Sequence, residues 1–208
     1  MTRTLPLALL VLTGCLQEIE GGPEVSDTRS LEPFSAVRAE SGVTVRYRPG
    51  AVNEVSIATQ QKVLESLETV VKNDVLVVRL KPGVKVTSFE WTEVHVSGTD
   101  AVEFQARNGS TVEARELATG AVKVSVGEGG RVALSGQVDM LDLEAGEGSK
   151  VSATTGASIV SVDLTDGSSA EVEATERVSG SLRGGSKLKV TGGADFGGLS
   201  LRDGSSVE

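Results

Sequence analysis

The sequence predicts an all-β chain folded as a parallel β-helix, a solenoid of about 19-residue coils. Two observations carry this expectation. A glycine cluster recurs at nearly constant spacing through residues 101–208, and apolar and polar residues alternate on both sides of it. Composition agrees. Aromatic residues make up only 3% of the chain while glycine occurs 25 times, so the core must be built from Val, Leu, Ile and Ala joined by tight turns.

The cluster is Gly, then Ser or Gly, then one residue, then an apolar one. Its leading glycines are Gly109, Gly129, Gly148, Gly167, Gly185 and Gly204, spaced 20, 19, 19, 18 and 19 residues apart. Three, five and seven residues before each glycine stand apolar or small side chains: Ala106, Phe104 and Val102, then Val126, Val124 and Val122, then Ala145, Leu143 and Leu141, with the pattern continuing to Leu201. Three and five residues after it stand Val112 and Ala114, Val132 and Leu134, Val151 and Ala153. Period-two alternation on both sides of a turn is the mark of two strands that each bury one face. About nineteen residues cannot bury such a face alone, but stacked coils can, each strand pairing with its counterpart one coil away. The glycine column supplies corners at positive φ, and the serine beside it can bond local backbone. Short returns such as Leu117 to Gly120 close each coil.

Residues 31–100 are less regular and are expected to form irregular first coils that cap the stack, ahead of the regular repeats of 101–208. Phe34 to Val37, Val43 to Tyr47, Val55 to Ala58 and Glu93 to Val96 alternate as strands. Gln60 to Leu67 has the composition of a short helix, and Asn73-Asp74 between valine-rich arms predicts a hairpin.

The first 14 residues read as a secretory leader: Arg3, an apolar run from Leu5 to Leu12 too short to cross a bilayer, then Leu12-Thr13-Gly14-Cys15. That last run resembles the lipobox of bacterial lipoproteins, which implies cleavage before Cys15 and acylation of its sulfur, palmitate included. Cys15 is the single cysteine, so no internal disulfide competes for it. Residues 15–30, polar and acidic with Gly21-Gly22-Pro23, are expected to be the lipidated cysteine and a flexible tether, and 31–208 the β-helix domain. Leu16 differs from the aspartate that commonly retains lipoproteins in the inner membrane. The expectation is therefore a lipid-anchored protein of the cell envelope, at the outer membrane where the organism has one.

The segment SLEPFSAVRAESGVTVRYRPG followed by EVSIATQQKVLESLETVVKNDVLVVRL is similar to the start of the auto-transporter adhesin, head GIN domain family. The order is the same: a Phe-x-x-Val entry, a Gly-Val-x-Val strand, a paired strand, a short helix, then a strand opened by Asp. The Gly-Ser repeats resemble that family's second half, and the resemblance spans about 31–208. It implies a right-handed β-helix, frequent in exported lipoproteins, and brings no catalytic residues with it.

The residues themselves offer little chemistry. His95 is the only histidine and sits on the polar face of a strand, with no nucleophile motif beside it. A zinc site needs more His and Cys than the chain contains. Asp163, Asp166 and Glu171 cluster around Gly167 but miss the spacing of a calcium loop. No cofactor and no metal are expected. The net charge of −9 disfavours nucleic acid. Coils of near-uniform length insert no loops to wall a groove, so the outer faces are expected to be flat and polar. These features predict a non-enzymatic envelope lipoprotein, a scaffold for adhesion or envelope assembly. The alternative is a β-helix that binds or degrades polysaccharide. The expected partners are the membrane, through the lipid on Cys15, and beyond it an envelope protein, a glycan or a second copy of the chain.

Overall fold

The structure, a computed structural model, describes residues 17–19, 22–86 and 92–208. The proposed leader and Cys15 lie outside the described residues.

The chain begins with β1 (Gln17–Ile19) and β2 (Glu24–Ser30). Strands β3 (Ala36–Ala39) and β4 (Thr44–Pro49) form a first coil around Ser41-Gly42. Then come β5 (Glu54–Gln60), the helix α1 (Gln61–Ser66), β6 (Leu67–Lys72), β7 (Val75–Leu80), β8 (Val84–Val86), β9 (Glu93–Gly98) and β10 (Glu103–Ala106). Four long strands follow, each most of a coil: β11 (Thr111–Val126), β12 (Arg131–Ala145), β13 (Lys150–Leu164) and β14 (Ser169–Leu182). Strands β15 (Lys187–Thr191), β16 (Asp195–Leu201) and β17 (Ser206–Val207) complete the series. All pairs from β10 onward are parallel, and the whole is a β-solenoid of about six turns with ~19-residue coils, as the glycine spacing predicts.

Two walls face each other across the core. The front wall follows each glycine turn and stacks Val45, Val112, Val132, Val151, Ala170 and Leu188 on successive coils. The back wall precedes each turn and stacks Phe104, Val124, Leu143 and Val162. All of these side chains are buried. In the next front-wall column, Tyr47, Ala114, Leu134 and Ala153 alternate large and small, so neighbouring coils interdigitate instead of colliding.

The corner between the walls is a two-residue turn with both residues in the left-handed region. Gly109, Gly129, Gly148, Gly167, Gly185 and Gly204 have φ between 69° and 76°. The residues before them, Asn108, Glu128, Glu147, Asp166, Gly184 and Asp203, are also at positive φ. Each turn closes on itself, as where the Ser149 N–H donates to Gly146 O at 3.1 Å. It is also tied to the next coil, as where Gly148 N–H donates to Asp166 O at 3.0 Å. The serines after the glycine point inward. Ser110, Ser149, Ser168 and Ser186 are fully buried, and the Ser168 hydroxyl donates to Ala145 O at 3.0 Å. A buried hydroxyl is tolerated there because the corner offers it a carbonyl.

Differences in coil length are absorbed at one place. The extra residue of the 20-residue coil forms a bulge between Ala114 and Leu117, where Glu116 takes φ 60°. The shortfall of the 18-residue coil is taken up between Ala153 and Ile159. The walls therefore stay in register. The returns, expected as short connections, are strand: Leu117 to Thr119 pairs with Gly136 to Val138.

The lead-in differs from a simple series of first coils. On the back wall the spatial order is β6, β7, β3, β10, so the first coil lies inside the stack, with later segments on both sides. On the front wall β4 lies between β9 and β11, and β5 and β2 continue outward as antiparallel strands. The expected helix and hairpin are present. α1 joins β5 to β6 across that end with Val63 buried, and Asn73 and Asp74, at φ 50° and 62°, turn β6 into β7.

Three expectations need correction. The flexible tether drawn over 15–30 includes β2, which pairs along its length with β5. Its alternation is hidden because the half-buried positions are Val25, Asp27 and Arg29, and the two charged residues neutralise each other at 2.6 Å. Val102, placed inward by the repeat, is 39% exposed, because Ala101 takes the inward place. Leu201 is 44% exposed, since β16 is covered by β14 on one side only among the described residues.

Tyr47, the chain's single tyrosine, is buried against Phe104 with ring centroids 5.3 Å apart, and its hydroxyl donates to Gly98 O at 2.8 Å. Burial, with a smaller push from Asp100, raises its pKa above the ordinary 10.0. The unfolded chain then loses this proton first. The resulting contribution to stability is complete below pH 10 and is lost as pH rises through the folded value. Absorbance titration is expected to place tyrosinate formation above the midpoint of free tyrosine, with denaturant resistance falling over the same range.

Candidate functional site

The outward positions of the front wall make two parallel columns, two and four residues after each turn glycine. The first holds Thr111, Arg131, Lys150, Ser169 and Lys187, and the second Glu113, Ala133, Ser152, Glu171, Lys189 and Glu208. Side chains here stand away from the sheet, and pairing sets like positions one strand spacing apart, roughly 4.8 Å. Between the columns runs an open trough of about 480 Å³ lined by residues of six successive coils. This corrects the expectation of flat walls. No loop builds the trough. It arises because Ala133 and Ser152 are short where Arg131 and Lys150 beside them are long.

The rims differ in electrostatics. On the second column Lys189 donates to Glu171 at 2.6 Å, and that carboxylate holds the Lys189 ammonium above its usual range. Glu113 is shared by Arg46 at 3.6 Å and Arg115 at 3.0 Å. On the first column Arg131, Lys150 and Lys187 are exposed, and their side chains make no ion pair or hydrogen bond among the described residues.

His95 lies farther along the same wall, exposed, 3.6 Å from Glu93 and beside Arg46, Arg48 and Arg115. Glu93, Glu113 and Glu116 pair with those arginines, so this second cluster is balanced in charge. Asp163, Asp166 and Glu171 do not converge. Asp163 pairs with Arg183 on the back wall, Asp166 sits in a corner turn and Glu171 faces the trough. No group of three metal-binding side chains occurs among the described residues. The turn glycines form the corner between the walls.

The sequence predicts flat polar outer faces and does not single out the first column. The signal was available in the residue directly after each Gly-Ser or Gly-Gly pair. What periodicity does not reveal is the difference in side-chain length that carves the trough.

Residues 33–194 match the family described as "Putative auto-transporter adhesin, head GIN domain". Among solved structures, one described as a putative adhesin from Bacteroides fragilis NCTC 9343 is similar with a TM-score of 0.65 at 14% identity, covering 89% of this chain and 95% of that one. A second putative adhesin, from Parabacteroides distasonis ATCC 8503, has a TM-score of 0.58 at 13% identity over 92% of this chain and 100% of that one. A protein from the same organism described as a putative lipid binding protein has a TM-score of 0.53 at 11% identity over 92% and 98%. No curated protein matches the chain. At these identities the structural likeness speaks for the fold. The family match, which takes in the irregular lead-in and most of the regular coils, shows that the chain belongs to the auto-transporter adhesin, head GIN domain family.

Proposed function

We propose that this protein is a non-enzymatic scaffold of the bacterial cell envelope, held to a membrane by lipid on Cys15 and presenting its solenoid walls for adhesion or envelope assembly. The observation that carries the reading is a stack of near-identical coils with a continuous outer wall, in a chain of an adhesin family. Such a wall is rigid and repetitive, so it offers many weak contacts in a row, which suits attachment to an extended partner. Support for the anchor is the Leu12-Thr13-Gly14-Cys15 run after an apolar segment. Among the described residues no helix is long and apolar enough to cross a membrane. Several acyl chains on one cysteine would make release slow, since each buried methylene contributes about 0.8 kcal/mol.

Two measurements test it. Metabolic palmitate labelling is expected to mark the wild-type chain and to vanish in Cys15→Ser, which sheds into the medium. Cells lacking the protein, and cells carrying only Cys15→Ser, are expected to attach to surfaces equally poorly. Label persisting in Cys15→Ser overturns the anchor, and undiminished attachment without the protein overturns the adhesion role.

A further inference from the structure

We propose that the front-wall trough binds an extended acidic polysaccharide, its anionic groups meeting Arg131, Lys150 and Lys187 and its hydroxyls meeting the opposite rim. This deepens the adhesion reading and rests on it, by naming the chemistry that the wall holds.

Among the described residues the three cations have no ion-pair or hydrogen-bond partner. By contrast, Lys189 pairs with Glu171, Arg183 with Asp163 and Lys123 with Glu144. In a chain of net charge −9, a line of free positive charge is a local attraction against a general repulsion. The acidic corner residues Glu128, Glu147 and Asp166 lie three residues back from the rim positions and form no ion pair with them. They repel an anion from the corner, which leaves the rim as its landing place.

Spacing sets the shape of the ligand. Arg131 and Lys150 occupy adjacent rungs, and Lys187 follows two rungs later with Ser169 between. Charges repeated along a line are matched by a linear polymer whose own charges repeat, and a trough open along its length lets such a chain pass through. The opposite rim selects among polymers. On that rim Glu171 is paired with Lys189 and Glu113 with Arg46 and Arg115, so it adds no net positive charge for a strand that is anionic on every side, such as polyphosphate or nucleic acid, while its carboxylate oxygens can accept hydrogen bonds from sugar hydroxyls. No aromatic side chain lines the trough, so the stacking that holds nucleic-acid bases is absent. The short Ala133 and Ser152 let a sugar ring approach the wall. A chain with charge along one edge and hydroxyls along the other is an acidic polysaccharide.

The test is affinity electrophoresis of the detergent-purified full chain through gels containing polygalacturonate, dextran sulfate, neutral dextran, polyphosphate or double-stranded DNA. Retardation is expected with one or both acidic polysaccharides, weakening as salt is raised, and none with dextran. Polyphosphate and DNA are expected to retard it less. The triple variant Arg131→Gln, Lys150→Gln, Lys187→Gln, altered only at exposed positions, is expected to bind about tenfold more weakly. The back-wall pair Lys123→Gln, Arg183→Gln is expected to bind as wild type. Equal retardation of the triple variant, dextran or DNA binding as strong as the acidic polysaccharide, or no retardation by either acidic polysaccharide overturns the proposal. The two readings fail separately. Attachment lost with the protein but intact in the triple variant removes the glycan and keeps adhesion. Retardation intact with attachment unaffected by loss of the protein removes adhesion and keeps the glycan.

Discussion

Replacing Gly180 by alanine is expected to destabilise the protein by about 3 kcal/mol or more, read as a large fall in the urea midpoint. Gly180 lies in the 18-residue coil, directly opposite Val162 of the coil before. Its φ is 130°, a conformation that side-chain-bearing residues rarely adopt. A β-carbon there stands 1.9 Å from the Val162 carbonyl oxygen and 3.0 Å from the Val162 nitrogen. Both are backbone atoms fixed by the coil-to-coil ladder, so neither can yield without breaking the pairing around it. The contrast is Gly148. Its φ is 69°, but no atom lies within 4 Å of the place a β-carbon would take. Gly148→Ala is therefore expected to carry only the backbone cost of the left-handed region, about 1–2 kcal/mol. The two variants separate a glycine required for close approach from one required for turn geometry. Similar losses in both would mean that the coils are not pinched together at Gly180.

Leu143→Ala is expected to cost about 3–5 kcal/mol, with little change in denaturant slope. Leu143 is fully buried and lies between Val124 and Val162 on the adjacent coils. The neighbours are valines, and beyond Val162 the column thins to Gly180, so no large side chain is at hand to fill the void. In a stacked array each coil touches only its neighbours, so a cavity in a middle coil weakens two interfaces at once. The adjacent Asp142 faces solvent, and Asp142→Ala is expected to stay within about 0.5 kcal/mol of wild type. A Leu143→Ala effect as small as that of Asp142→Ala would contradict its place in the core.

The regular coils were legible because their information is local. Each turn is announced by its own glycine, and each inward position by an aliphatic residue two places from the last. Stacking followed from the constant interval between them. The lead-in was legible element by element but not in its order. That β3 lies between β7 and β10 depends on which edges remain open when the hairpin forms, and no residue of β3 records it. Strand β2 escaped notice because its inward side carries Asp27 and Arg29, whose mutual neutralisation lets charged residues take half-buried places. Val102 misled because the alternation around it is correct while Ala101 takes the core position.

The candidate site was half legible. The columns follow from register alone, and Arg131, Lys150 and Lys187 stand at equivalent places after their turns. The trough depends on relative side-chain length across neighbouring coils. The freedom of the three cations depends on which acids reach them. Glu171 is taken by Lys189 and Glu113 by Arg46 and Arg115, pairings that become visible only once the rungs are in place.

The most direct test of the stacked-coil arrangement is methyl-resolved nuclear magnetic resonance of the full chain with labelled valine and leucine. Cross-relaxation is expected from Leu143 to both Val124 and Val162, and from Val132 to both Val112 and Val151. Antiparallel strands would instead bring α-hydrogens of facing residues together in these coils. That pattern, with Leu143 showing no contact to Val124 or Val162, would contradict the account.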